Sequence, residues 1–305
     1  MKIVFMGTPE FAVASLDALL EAGCEIAGVV TAADKPAGRG QKLNESAVKQ
    51  YAVSKGIPVL QPVKLKDPEF IEQLRALAPD LQVVVAFRML PEVVWNMPPL
   101  GTINLHASLL PQYRGAAPIN WAVINGEKES GVTTFFLKHE IDTGNILFTE
   151  KVTVFDNFTA GDLHDKLMAK GAGLLVKTVK AIESGRYTEQ PQEKLAEGTE
   201  LKHAPKIFKE DCKIDWDQPV EQVYNLIRGL SPYPTAFTEF NGKTIKIFSA
   251  EKELKDHDLA PGNTVTDQKT YLKFACPNGL ISVKDVQMEG KKRMGVEEFL
   301  RGVRV

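Results

Sequence analysis

Two patterns of apolar and polar positions alternate along the first 190 residues. Short continuous apolar runs occupy residues 2–6, 25–31, 57–60, 81–87, Thr102–His106 and 132–137. They are rich in Val and Ile and bounded by Gly, Pro or polar residues, so they predict buried strands. Between them lie amphipathic stretches. Gly7-Thr8-Pro9-Glu10 turns the first strand into a helix reaching about Gly23, with Phe11, Leu16, Leu19 and Leu20 on its apolar face. Further helices are predicted over 46–56 and 67–78. Strands buried on both faces and separated by helices predict a doubly wound α/β fold with a mostly parallel sheet.

A longer helical period covers 160–184, with Leu163, Leu167, Leu174, Thr178 and Ile182 on one side. The period then vanishes. Residues 188–205 are rich in Glu, Gln and Pro, and 190–205 read as a linker. From Lys206 the texture changes to a helix, Val220–Gly229, and short strands separated by Ser231-Pro232-Tyr233-Pro234, Asn241-Gly242, Pro261-Gly262 and Pro277-Asn278-Gly279. Asn-Gly between two apolar-alternating runs is a strong hairpin signal. The expected organisation is therefore an α/β domain over 1–189, the linker, and a small all-β barrel over 206–305.

Composition adds exclusions. The 305 residues are 44% hydrophobic and 25% charged, ordinary for a globular chain. Lys and Arg number 37 against 39 Asp and Glu, a net charge of −2. That excludes a wholly basic nucleic-acid binder and leaves a local basic patch open. Cys24, Cys212 and Cys276 form neither a C-x-x-C pair nor a zinc spacing, which suits a reducing compartment. The first residues read as a strand rather than a signal peptide, and no apolar run is long enough to span a membrane. A cytoplasmic, monomeric, metal-free protein is expected.

The sharpest chemistry lies in Asn104-Leu105-His106-Ala107-Ser108-Leu109-Leu110-Pro111-Gln112-Tyr113-Arg114-Gly115. Strand alternation puts Asn104 and His106 on one face. Carboxyl ends of parallel strands line the ligand crevice of such a sheet. Two readings stand for the pair: a catalytic amide and imidazole, or a loop cap and a satisfied core histidine. Ile141-Asp142-Thr143-Gly144 is either an ordinary turn or the source of a carboxylate for the imidazole. Together, Asn104, His106 and Asp142 suit acyl-type transfer without a covalent intermediate, the donors holding an oxyanion and the Asp–His pair handling protons. Gly7 stands alone, so the dinucleotide fingerprint is absent, as are a Walker loop and a G-x-S-x-G elbow. The loop 32–42 carries Lys35, Arg39 and Lys42 among Gly, Pro and Ala. It is either a solvated surface loop or a phosphate-binding one.

With these residues in view, the whole chain resembles the folate-dependent formyltransferase superfamily, and within it the family that formylates methionyl-tRNA. Residues 5–11, 34–40, 104–118 and Asp142-Thr143-Gly144 carry the resemblance. It implies transfer of a formyl group from 10-formyltetrahydrofolate to the α-amine of methionine on initiator tRNA. Asn104, His106 and Asp142 would be the catalytic trio. The folate would lie against Phe87, Arg88, Met89 and Leu90, against Ser108, Leu109, Leu110 and Pro111, and against Ile141. Lys35, Arg39 and Lys42 would meet the acceptor stem. The C-terminal barrel would resemble an OB-fold and add backbone contacts through Lys284, Lys291, Lys292 and Arg293. Residues 206–305 carry a net charge of +1 against −3 for the remainder, so any groove there depends on clustering. Ala86-Phe87-Arg88 departs from the family's usual Ala-Tyr-Gly and is similar to formyltransferases acting on nucleotide-linked amino sugars. That substrate, and a plain RNA-binding role, are the alternatives.

Overall fold

The computed structural model describes residues 1–37 and 42–302. The six apolar runs form strands of one seven-stranded sheet, and Ile146–Thr153, which the apolar pattern does not mark, supplies the seventh. In chain order these are β1 (Lys2–Gly7), β2 (Glu25–Val30), β3 (Val59–Leu60), β4 (Leu81–Val85), β5 (Thr102–His106), β6 (Glu129–Phe136) and β7 (Ile146–Thr153). They lie in the order β7-β6-β5-β4-β1-β2-β3. The pairs β1–β2, β2–β3, β1–β4 and β4–β5 are parallel, so this is the doubly wound architecture that the alternation predicts. The chain runs outward from β1 to β3 and returns to β4 on the other side of β1, which creates a switch point between β1 and β4.

The helices begin where local chemistry allows. Helix α1 (Glu10–Glu21) buries Phe11, Leu16 and Leu19. Ser46 caps α2 (Ala47–Ser54) by accepting the Lys49 N–H at 3.0 Å. Asp67 caps α3 (Pro68–Ala76), whose first residue is the proline favoured at that position. Two short helices follow, α4 (Glu92–Trp95) and α5 (Pro118–Ile124). Helix α6 (Ala160–Glu183) buries Leu163, Leu167, Leu174, Thr178 and Ile182, the positions its period singles out. A Cβ at Gly171 would lie 2.9 Å from Leu105, so a glycine lets α6 approach β5 closely. The Thr134 and Thr178 hydroxyls, 2.8 Å apart, tie α6 to β6.

The chain forms two compact units. The first comprises residues 1–115, 131–152 and 165–203, and the second comprises 116–130, 153–164 and 204–305. Within the second unit α5 packs on α8 (Val220–Gly229): Asn120 donates to the Gly229 carbonyl at 2.8 Å, and Ile124 joins the local core. Helix α7 (Gln192–Ala196) lies in the stretch whose composition reads as a linker.

The second unit is built on an antiparallel half-barrel sheet. Its strands are β8 (Ala236–Phe240), β9 (Lys243–Leu254), β10 (Thr264–Thr266), β11 (Leu272–Cys276), β12 (Gly279–Met288) and β13 (Met294–Gly295). The order is β8-β9-β12-β11-β10, with β13 on β12. Asn241 and Gly242 close the β8–β9 hairpin at φ +50° and +70°, the two-residue turn that Asn-Gly predicts. Ile245, Phe274, Ile281 and Val283 form the core with Val223 and Ile227 of α8, and a last helix, α9 (Val296–Arg301), adds Phe299. Trp216 stacks on Phe274 with ring centroids 4.5 Å apart.

Replacing Leu167, fully buried on α6, by Ala removes most of a core side chain. Denaturant unfolding should show a loss of about 2–5 kcal/mol. A loss below about 0.5 kcal/mol would contradict the packing described.

Candidate active site

Strand β5 sends Ile103 and Leu105 to one face, where both are buried. Asn104 and His106 go to the other face, roughly 7 Å apart along the strand. Ser108, Tyr113 and Thr133 shape the loop that follows. The Ser108 hydroxyl donates to the Gln112 carbonyl at 2.6 Å, and the Thr133 hydroxyl donates to the Ser108 carbonyl at 2.7 Å. Tyr113 adopts φ +59°, and its carbonyl meets His106 Nε2 at 2.9 Å. A carbonyl only accepts, so Nε2 carries a proton and Nδ1 is left as the working nitrogen.

Nδ1 faces the Asp142 carboxylate at 3.9 Å, with the two side chains only 7% and 12% exposed. The same carboxylate oxygen accepts the Gly115 N–H at 3.0 Å. Strand β6 runs antiparallel to β5, with Phe136 beside Ile103 and Thr133 beside His106. The carboxyl end of β6 therefore lies at the amino end of β5, and the loop after it folds back to deliver Asp142. Two features permit this. Asp142 sits at φ +56°, a region open to Asp more than to most residues. Gly144 lies against β6 so closely that a Cβ would fall 1.5 Å from the Phe136 carbonyl oxygen.

Three groups thus share one face: a half-buried amide, an imidazole of fixed tautomer, and a nearly buried carboxylate. Among the described residues the Asn104 amide has no protein hydrogen-bond partner, so its N–H groups are open to a ligand. No group of His, Cys, Asp and Glu that could hold a metal occurs among the described residues. The thiols are poor nucleophiles. Burial pushes the Cys24 and Cys212 thiols up, and Cys276 up to about 11.

The expected donor contacts divide. Arg88, Met89 and Leu90 line a groove of about 1180 Å³ together with Pro91, Lys64 and Lys66. Met89 and Ile141 are exposed, and Phe87 is half-buried under the Arg88 guanidinium, 5.7 Å from its ring centroid. Ser108, Leu110 and Pro111 point inward instead: Leu110 packs on Phe135 and Ile146, and the Ser108 hydroxyl is spent on its own loop. Those three shape the loop, and Leu109 beside them is half-buried. Arg88 donates to the Val63 carbonyl at 2.9 Å and to the Pro62 carbonyl, pinning the groove's rim.

The basic residues are scattered. Lys35 is exposed on a strand, Lys35–Ala37. Arg39 lies outside the described residues, and Lys42 is described for its backbone alone. In the second unit Lys284 pairs with Glu251 at 2.8 Å. Arg293 pairs with Asp285 at 2.7 Å and covers the Phe248 ring. Lys291 and Lys292 are exposed beside them.

Sequence reasoning missed Gln192, which is fully buried and reaches the loop carrying Asp142. The stretch around it has neither hydrophobic period nor motif. Arg114 and Gly115 were in view as part of the loop motif, but nothing local shows that one meets Gln192 and the other Asp142.

Comparisons with known proteins show the family and the fold. Residues 1–179 match the family model described as formyl transferase, and 206–304 match the formyl transferase C-terminal domain. A methionyl-tRNA formyltransferase of Bacteroides fragilis is 57% identical over 307 aligned residues, covering 99% of this chain and 95% of the relative. One from Flavobacterium johnsoniae is 49% identical, covering 99% and 96%. Among solved structures, an N-formyltransferase from Helicobacter canadensis, in complex with folinic acid and dTDP-3-aminofucose, superposes with a TM-score of 0.69. It is 20% identical, with 96% of this chain and all of that one covered. HypX from Aquifex aeolicus with tetrahydrofolic acid gives 0.68 at 19% identity, covering 99% of this chain and 48% of its own. At these identities the two structures speak for the fold.

Raised thiol values leave little thiolate near neutrality. At pH 8, Ellman's reagent should react with no more than Cys24 in the native protein and with all three cysteines after unfolding. Rapid native reaction at Cys212 or Cys276 would contradict the burial described.

Proposed function

The chain belongs to the formyl transferase family, and from that premise we propose that it moves the formyl group of 10-formyltetrahydrofolate onto the α-amine of methionine on initiator methionyl-tRNA. The observation that carries the reading is the single face shared by Asn104, His106 and Asp142. In this proposal residues 1–189 hold the chemistry, 190–205 link, and 206–305 meet tRNA. The setting is the cytoplasm and the working form a monomer. No helix of the described residues is long and apolar enough to cross a membrane.

The steps follow from the donors available. A free α-amine titrates at about 7.7–8.0, so a useful unprotonated fraction exists near neutrality. Its nitrogen attacks the formyl carbon, forming the new N–C bond and leaving negative charge on the formyl oxygen. The Asn104 amide stabilises that oxygen, together with His106 as an imidazolium that keeps its Nε2 proton on the Tyr113 carbonyl and offers a second one from Nδ1. Asp142, 3.9 Å from Nδ1, lies beside that nitrogen for the proton transfers. The amine then gives up a proton, N10 of the folate gains one, and the C–N10 bond breaks. Formylmethionyl-tRNA and tetrahydrofolate leave, with no bond to the protein at any stage. The donor lies along the groove of Arg88, Met89 and Leu90, with Phe87 and Ile141 at its margin.

Arg88 is the residue that favoured a nucleotide-linked amino sugar. Its guanidinium is occupied by the Pro62 and Val63 carbonyls, which supports a structural task and weakens that alternative.

Incubation with initiator methionyl-tRNA and 10-formyltetrahydrofolate should yield formylmethionyl-tRNA, and absence of product at micromolar protein would refute the reading. His106→Ala and Asp142→Asn should each lower kcat by about 100–1,000-fold while the thermal transition persists. A wild-type rate in either would remove that residue from the mechanism. Arg39→Ala should weaken tRNA use and reduce the slope of log affinity on log salt by about one. An unchanged slope would take the 32–42 loop off the phosphate backbone.

A further inference from the structure

Gln192 is fully buried at the start of α7, in a part of the chain with few other buried side chains. Its amide spans the two loops that form the site. Nε2 donates to the Asp142 carbonyl at 2.9 Å and to the Gly144 carbonyl at 2.7 Å. Oε1 accepts from Arg114 Nε at 3.0 Å and Nη2 at 2.7 Å. The orientation is forced, because carbonyls only accept and a guanidinium only donates. Both amide hydrogens and the amide oxygen are used, which satisfies a group that would be costly to bury unpaired.

The backbone beside it is fixed as well. Residues Ile146 and Gln190 exchange two N–H···O bonds of 2.9 Å. Asn145 donates to Glu189 at 2.8 Å. The segment 189–192 is thereby joined to the carboxyl end of the Asp142 loop, and Gln192 reaches from there to the loop's middle. On its other side Arg114 precedes Gly115, whose N–H holds the Asp142 carboxylate. One side chain therefore sets the position of Asp142 from its own backbone and from the residue neighbouring its hydrogen-bond donor.

We propose that Gln192 is a positioning residue for the transfer, locking the folded-back Asp142 loop to the Arg114–Gly115 loop so that the carboxylate stays against His106 Nδ1. This rests on the reading that His106 and Asp142 carry the reaction. Gln192 touches no reacting atom and acts through the two loops.

Two variants test it. Gln192→Glu keeps the size and the acceptor for Arg114 but turns one carboxylate oxygen, in place of Nε2, toward two carbonyls. Gln192→Met keeps the volume and removes every hydrogen bond. Displacing a catalytic group by about 1 Å costs on the order of 100-fold in rate. Both variants should therefore lose about 10–100-fold in kcat, with KM for methionyl-tRNA within about threefold of wild type. Independently of activity, the Gly115 amide in a ¹⁵N-labelled sample reports whether Asp142 is still in place. Its proton resonance should move upfield, and its exchange with solvent should accelerate, in both variants. A folded variant with wild-type kcat and an unmoved Gly115 amide would overturn the proposal. So would loss of the native thermal transition in both variants, since Gln192 would then hold the unit together rather than the loop. If wild-type protein makes no formylmethionyl-tRNA, the functional reading fails while the Gly115 measurement still decides the role of Gln192.

Discussion

A carboxylate and an imidazole meet in this protein because a loop turns back on the strand it came from. The reversal of β6 relative to β5 would leave Asp142 at the wrong end of the sheet. Everything around the loop serves to cancel that displacement. Gly144 permits contact with β6 that no side chain would allow. A left-handed backbone turns the chain at Asp142. Gln192 then pairs two of the loop's carbonyls, those of Asp142 and Gly144. In a dry setting each such bond is worth more than in water, and leaving one unmade costs more.

The histidine is prepared with equal economy. One backbone carbonyl, that of Tyr113, fixes the tautomer by accepting the Nε2 proton. A core side chain, Leu110, anchors the loop that supplies this carbonyl. The side chains of Ser108, Leu110 and Pro111, three residues expected beside a ligand, are buried in the loop that follows β5. The asparagine is the complement: its half-buried amide is unpartnered among the described residues and remains open to a ligand.

Electrostatics at the second unit follow a different logic. Lys284 and Arg293 look like free cations in the sequence, yet each is paired with a carboxylate, Glu251 and Asp285 respectively. Exposed pairs of this kind add little stability. Their effect here is to reduce the positive potential a polyanion would feel, and Lys291 and Lys292 remain as the exposed charges of that cluster. A net charge near zero over this half is thus a matter of arrangement as well as of count.

The amino-acid order alone determined the alternation of strands and helices, the Asn-Gly hairpin, the capped starts of α2 and α3, and the pairing of Asn104 with His106 on one face. Those properties depend on period, turn chemistry and neighbours a few residues apart, all of which are local. It also marked Asp142, through a motif rather than through any visible reason for its nearness to His106. Tertiary structure alone decided that β6 runs backwards, that α5 packs on α8, that Arg88 is spent on the groove's rim, and that a glutamine from an unpatterned stretch ties the site together. The physical reason is distance along the chain. Gln192 is separated from Arg114 by 78 residues and from Asp142 by 50. A hydrogen bond depends on where atoms finish in space, and no periodicity records that.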